Sequence, residues 1–216
     1  MMKSPSLVLA FTLLCTGCSS LYYAANEKIG REKRDILVSR VEAGRKDQAE
    51  AKEQFQNALE AFQSVTAFTG GKLEEIYNKL NKELERSEGR ANDVGQSVRS
   101  IEKVAADLFR EWDKEISAMS SGDLRTRSRA MRVETETRYD ALIRKMHDSE
   151  RKMKPVLQAF RDQVLFLKHN LNARAISSLK SNVVKIDREV TQLVKDIEAS
   201  IAESDAFIKT MGSDGE

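Results

Sequence analysis

Apolar residues recur along this chain at alternating spacings of three and four. The first run is Leu37, Val41, Gly44, Gln48, Ala51, Phe55, Ala58, Phe62 and Val65, with small and polar members in its middle. This is the repeat of a helix that buries one seam against neighbours. Two glycines in Thr69–Lys72 then interrupt it, as suits a helix end and a tight turn. A second seam runs Leu73, Ile76, Leu80, Leu84, Ser87, Ala91, Val94, Val98, Ile101, Ala105, Leu108, Trp112, Ile116, Met119. It stops at Ser120–Asp123, where Asp123 or a nearby serine can cap the next helix. A third seam joins Tyr139, Leu142, Met146, Ser149, Met153, Val156, Phe160, Val164, Leu167 and Leu171. A fourth joins Ile176, Leu179, Val183, Ile186, Val190, Leu193, Ile197, Ile201, Ser204, Ile208 and Met211.

These seams predict helices over about 26–68, 72–119, 124–170 and 173–211, with a disordered tail over 212–216. No Gly or Pro separates the last two helices. Asn170 and Asn172 are weak helix formers and supply the break. Length favours a turn there. Each of the first two rods covers about 45 residues, or about 70 Å, and four matched rods close on one another. An unbroken last helix would leave half its seam bare and in need of a partner chain. The expected fold is all-α: an elongated antiparallel bundle, or coiled coil, of three to four long helices over 26–211. Pro155 falls inside the third helix, where it predicts a kink or a boundary.

Composition agrees. The 216 residues are 32% charged and 40% apolar, with two prolines and ten glycines. That is too apolar for disorder and too poor in turn formers for a many-stranded β protein. The net charge of +2 gives no general argument for nucleic acid, and none is expected as a partner.

The N-terminal segment differs from the rest. Lys3 precedes an apolar run, Leu7–Leu14, about half the ~20 residues that span a bilayer. It reads as a secretory signal peptide over 1–17. Cys15-Thr16-Gly17-Cys18 follows, and it resembles the lipobox of bacterial lipoproteins: cleavage after Gly17, acylation of Cys18 and a short tether over 18–25. The competing readings are an ordinary signal peptide and a buried helix with two incidental cysteines. Cys15 departs from the leucine usual at its place, although it too is apolar and small. With Cys18 acylated and Cys15 removed, the mature chain holds no disulfide and is stabilised by packing. Several acyl chains anchor firmly where one binds only marginally. Ser19, where an Asp would retain such proteins at the inner membrane, points by resemblance to the periplasmic face of the outer membrane.

Three segments carry a resemblance over nearly the whole chain: "KRDILVSRVE" (Lys33–Glu42), "GGKLEEIYNKLN" (Gly70–Asn81) and "FRDQVLFLKHNLNARAISSL" (Phe160–Leu179). They resemble an uncharacterised proteobacterial lipoprotein family, domain of unknown function 2959. The resemblance implies an all-helical lipoprotein, with no established activity and no site residues to carry over.

Catalytic signals are weak. In "FTGGKLE" (Phe68–Glu74), Thr66 and Leu73 stand where a phosphate loop needs Gly and Ser or Thr. His147 has only Glu150 at helical spacing and His169 follows an apolar run, so no zinc ligand set is legible. No Gly-x-Ser-x-Gly elbow occurs. The acid pairs Glu74–Glu75 and Glu134/Glu136 read as solvated faces. No enzyme, cofactor or small-molecule substrate is expected.

Two binding features remain. Arg125, Arg127, Arg129 and Arg132 crowd the first turns of the third helix, where cations oppose the helix dipole. In an antiparallel bundle they lie at the end of Lys28, Arg31, Lys33 and Arg34, a candidate contact for anionic lipid or lipopolysaccharide. Otherwise they form a solvated face. Val164, Leu165, Phe166 and Leu167 surround one whole turn, which is either core on all sides or a surface for a protein partner or a second copy. The functional expectation is a membrane-anchored structural or adaptor component of the cell envelope. The alternative is an envelope-stress protein that associates with anionic lipid.

Overall fold

The computed structural model describes residues 33–66, 73–170 and 173–213. Four helices account for nearly all of them: α1 (Lys33–Thr66), α2 (Leu73–Ala118), α3 (Gly122–His169) and α4 (Ala173–Ser213). Each packs on the next, and α4 returns to pack on α1, so the four close into a ring.

Cross-helix partners fix the directions. From α1 to α2, Arg90 meets Glu50 at 2.6 Å while Lys79 donates to Ser64 Oγ at 3.3 Å. From α3 to α4, Lys152 meets Asp196 at 2.7 Å and Asn182 donates to Gln163 at 3.2 Å. From α1 to α4, Lys52 meets Glu198 at 3.3 Å and Gln63 donates to Asp187 at 2.9 Å. In each pair one number rises as the other falls, so all ring neighbours are antiparallel. The expected turn between the third and fourth rods is therefore real. The helix ends at His169, and the Asn170 N–H donates to Leu167 O at 3.1 Å.

All nine positions of the first seam are buried. A Cβ at Gly44 would lie 2.9 Å from Met146 Cε and 3.0 Å from Ile101 Cδ1, so those two side-chain tips would have to shift to admit one. The glycine costs about 1 kcal/mol of helix propensity relative to alanine and lets α1 approach closely. Farther along, Phe160 stacks between Phe62 at 4.8 Å and Phe55 at 6.3 Å, and all three are sealed from solvent.

The core is wider than the seams. Ile36, Ala61, Val104, Phe109 and Ile143 are also buried. In a ring each helix meets two neighbours, so positions flanking the seam are covered as well. Helix α4 departs from its expected seam at its end. Ser204 and Met211 are buried as expected, but Ser200 and Phe207 are buried in place of Ile201 and Ile208, which are only partly buried.

Pro155 neither ends α3 nor bounds it. The residue is exposed, so the carbonyl that its missing N–H would have satisfied can be hydrated. Ser121, rather than Asp123, caps α3, its side chain accepting from Leu124 N at 3.4 Å. Helix α4 continues to Ser213, two residues into the expected tail. Residues 1–32, which include the signal peptide and tether, and the glycine turn before Leu73 lie outside the described residues.

Candidate functional site

The end of the bundle where α1 begins is built on charged contacts. Lys33 pairs with Glu111 of α2, and Arg34 donates to the Met211 carbonyl of α4. Asp113, two residues on from Glu111 and so on another face of α2, takes Arg132 of α3. Lys33, Arg34 and the arginine cluster thus share one end, as expected. Cys18, Gly17, Lys28 and Arg31 lie outside the described residues.

The four arginines are not equivalent. Arg132 is nearly covered. Its Nη2 donates to Asp113 Oδ2 at 3.0 Å, it pairs with Glu136, and its guanidinium sits 5.2 Å above the Phe109 ring. Its Nε lies 2.8 Å from Asp113 Oδ1, but the N–H is not aimed at that oxygen, and it has no hydrogen bond. Burial opposes the charge, while the bonds to Glu136 and Asp113 outweigh it and hold the group above its ordinary pKa. Arg132 clamps α2 to α3. Arg125 donates to the Met119 carbonyl and so closes the turn between these helices. Arg127 pairs with Asp123 at 3.1 Å in the open. Arg129 is exposed and has no ion pair among the described residues.

The same end is uneven in height. Lys33 is level with Glu111. From the Lys152–Asp196 pair, the end of α4 at Ser213 comes level with Thr135, the first buried residue of α3. Past the described ends of α1 and α4, the rest of α2 and the start of α3 form a hairpin, joined by Trp112 Nε1 donating to Ser128 Oγ at 2.9 Å. On it Leu124, Met131 and Val133 are 58%, 49% and 52% exposed. Just above, Phe109 meets the Tyr139 ring edge-on at 5.6 Å. Burial first, then the charges of Glu102 and Asp140, push the Tyr139 phenol up to about 12.

The far end holds the apolar turn of α3. Val164 and Leu167 are core, at 3% and 1% exposure, and so are not available for docking. Leu165 and Phe166 stay exposed. The turn that looked apolar on all sides is half core and half surface.

Between the ends lies an arrangement that sequence reading missed. The Gln48 amide nitrogen donates to Ser149 Oγ at 2.9 Å and to Ser200 Oγ at 2.8 Å, fastening α1, α3 and α4 inside the core. All three are fully buried, and Gln48 Oε1 has no partner. Gln48 and Ser149 were legible as polar seam positions; Ser200 was not. His147 was expected to have Glu150 alone, but Glu102 of α2 lies 2.8 Å from its Nε2, with Glu150 3.4 Å from Nδ1. Among the described residues no group of three or more His, Cys, Asp and Glu is arranged to hold a metal ion, and no helix is long and apolar enough to cross a membrane. A shallow groove of about 340 Å³ runs between α1 and α2, lined by Arg40, Asp47, Asp93, Gln96, Ser97 and Ser100.

Among known proteins, a family model described as "Protein of unknown function (DUF2959)" matches residues 22–211. No curated protein and no solved structure matches the chain significantly.

Proposed function

The chain belongs to that family of proteins of unknown function, and on this footing we propose that it is a lipid-anchored structural or adaptor component of the cell envelope. In this reading Cys18 carries the acyl chains, the bundle stands on the periplasmic face of the outer membrane, and it works by binding a protein partner. The observation that carries the reading is the order of Leu7–Leu14 and Cys15-Thr16-Gly17-Cys18 ahead of a closed helical rod. The rod supports it further. Its first described residue lies at one end, and the exposed Leu165 and Phe166 lie at the other, along helices about 70 Å long. A surface apolar pair at the end away from the anchor suits a partner that the membrane itself does not supply.

Labelled palmitate and membrane fractionation test the anchor. Label in the wild type and none in Cys18→Ser, with the protein in the outer-membrane fraction, is the expected result; a soluble, unlabelled protein ends the proposal. A photo-crosslinking amino acid at Phe166 tests the far end, where a single crosslinked partner is expected in intact cells. Crosslinks no richer than those from position 46, exposed midway along the rod, would remove Leu165 and Phe166 from the reading.

A further inference from the structure

We propose that the projecting α2–α3 hairpin is a foot that rests on an anionic lipid surface. The proposal rests on the anchored reading for its orientation, and adds to it a specific contact and a lipid class.

The observations concern height, charge and apolar exposure. The hairpin extends past the level of Lys33 and of Ser213, so it is the outermost described part of that end. Fourteen residues lie between Cys18 and Lys33. Such a stretch reaches at most about 50 Å, whereas the seven residues of α2 past Glu111 add only about 10 Å. An anchor at Cys18 therefore leaves ample chain for the hairpin to touch the surface.

The hairpin's chemistry suits phosphate-bearing head groups. From Trp112 to Val133 the hairpin carries five basic residues, four of them arginines on α3, and three acids, Asp113, Glu115 and Asp123. Arg132 is committed to Asp113 and Glu136, whereas Arg129 is exposed, and Arg125 and Arg127 are exposed too although one bonds the Met119 carbonyl and the other pairs with Asp123. Three of the six exposed large apolar residues among those described lie here, interleaved with these arginines. Leu124 and Met131, seven residues apart, share a helix face with arginines on both flanks. An acidic protein would satisfy the arginines and leave those side chains in water, whereas the head-group boundary takes both. Each basic side chain near an anionic surface is worth about a fivefold gain in partition.

The test uses the full chain as the cell processes it, with an environment-sensitive fluorescent amino acid at position 124 or, in a second preparation, at 131. Vesicles are phosphatidylcholine alone or phosphatidylcholine with phosphatidylglycerol. Emission should shift to the blue, and spin-labelled lipid should quench it, only when phosphatidylglycerol is present. High salt should reverse both effects, as should Arg125→Gln/Arg127→Gln/Arg129→Gln. Equal emission in the two vesicles overturns the proposal. So does a blue shift already present without vesicles at every dilution, which means that the face is covered from within the chain. A blue shift that grows with protein concentration means a second copy, and overturns it too. Labelled palmitate on the same preparation reports the anchor separately: label without the lipid-dependent shift removes the foot and keeps the anchor, and the shift without label does the reverse.

Discussion

Gln48 spends a buried amide on two serine hydroxyls and leaves its own oxygen without a donor. An unmade bond of this kind costs about as much as the made ones return. Gln48→Leu keeps the volume and removes the orphan oxygen, so it should unfold in urea within about 1 kcal/mol of the wild type. Gln48→Ala leaves a cavity as well as two released hydroxyls and should cost about 2–4 kcal/mol. If the leucine variant is the worse of the two, the layer contributes stability that its geometry does not explain. Tyr139 gives a second residue-scale prediction. A phenol held at about 12 binds its proton more tightly folded than unfolded, where its pKa is about 10. Its contribution to stability is therefore present below about pH 10 and lost as pH rises towards 12. The phenolate absorbance difference between wild type and Tyr139→Phe should have its midpoint near 12. Little of this was legible from sequence. Polar letters at seam positions flagged Gln48 and Ser149, but which hydroxyl a glutamine reaches depends on a register between helices 101 and 152 residues apart. Arg132 looked like its neighbours in sequence, and its partners on α2 set it apart.

Helices were the most readable level, because a buried seam writes itself at a fixed spacing. Every position of the first seam followed from it, whereas the number of helices, three to four, and the break at Asn170 needed rod length and weak helix formers as well. The miss in α4 has a definite cause. From Ile197 the steps can run four-then-three through Ile201 and Ile208, or three-then-four through Ser200 and Phe207. Counting apolar letters favours the first. The structure takes the second, since a buried serine there meets Gln48 and a phenylalanine fills more of the core. Phe207→Ala should therefore cost about 3–5 kcal/mol and Ile208→Ala about 1–2 kcal/mol, measured as shifts in the urea midpoint. Equal costs would mean that the stripe follows the isoleucines after all. Of the two readings of Pro155, the boundary failed for a similar reason, since α3 runs through it. A proline's penalty depends on which way the freed carbonyl faces, and one residue letter does not say.

At the scale of the whole molecule the ring of four antiparallel helices is what brings the basic residues of α1 and α3 to one end and the apolar pair of α3 to the other. Alternation of up and down rods made that end-sorting legible, whereas the projecting hairpin was not. Where it lies relative to the described ends of α1 and α4 is visible only once cross-helix partners are paired. The closure itself has one more consequence. Arg34 bonds the Met211 carbonyl, so the first and last described turns are side by side. Joining them by a short linker and opening the chain between Ala118 and Gly122 would give a circular permutant with every helix still beside its own two neighbours. It should fold to the same far-ultraviolet helix signal and a similar midpoint. The bundle is in this sense a loop of four rods without a privileged first member.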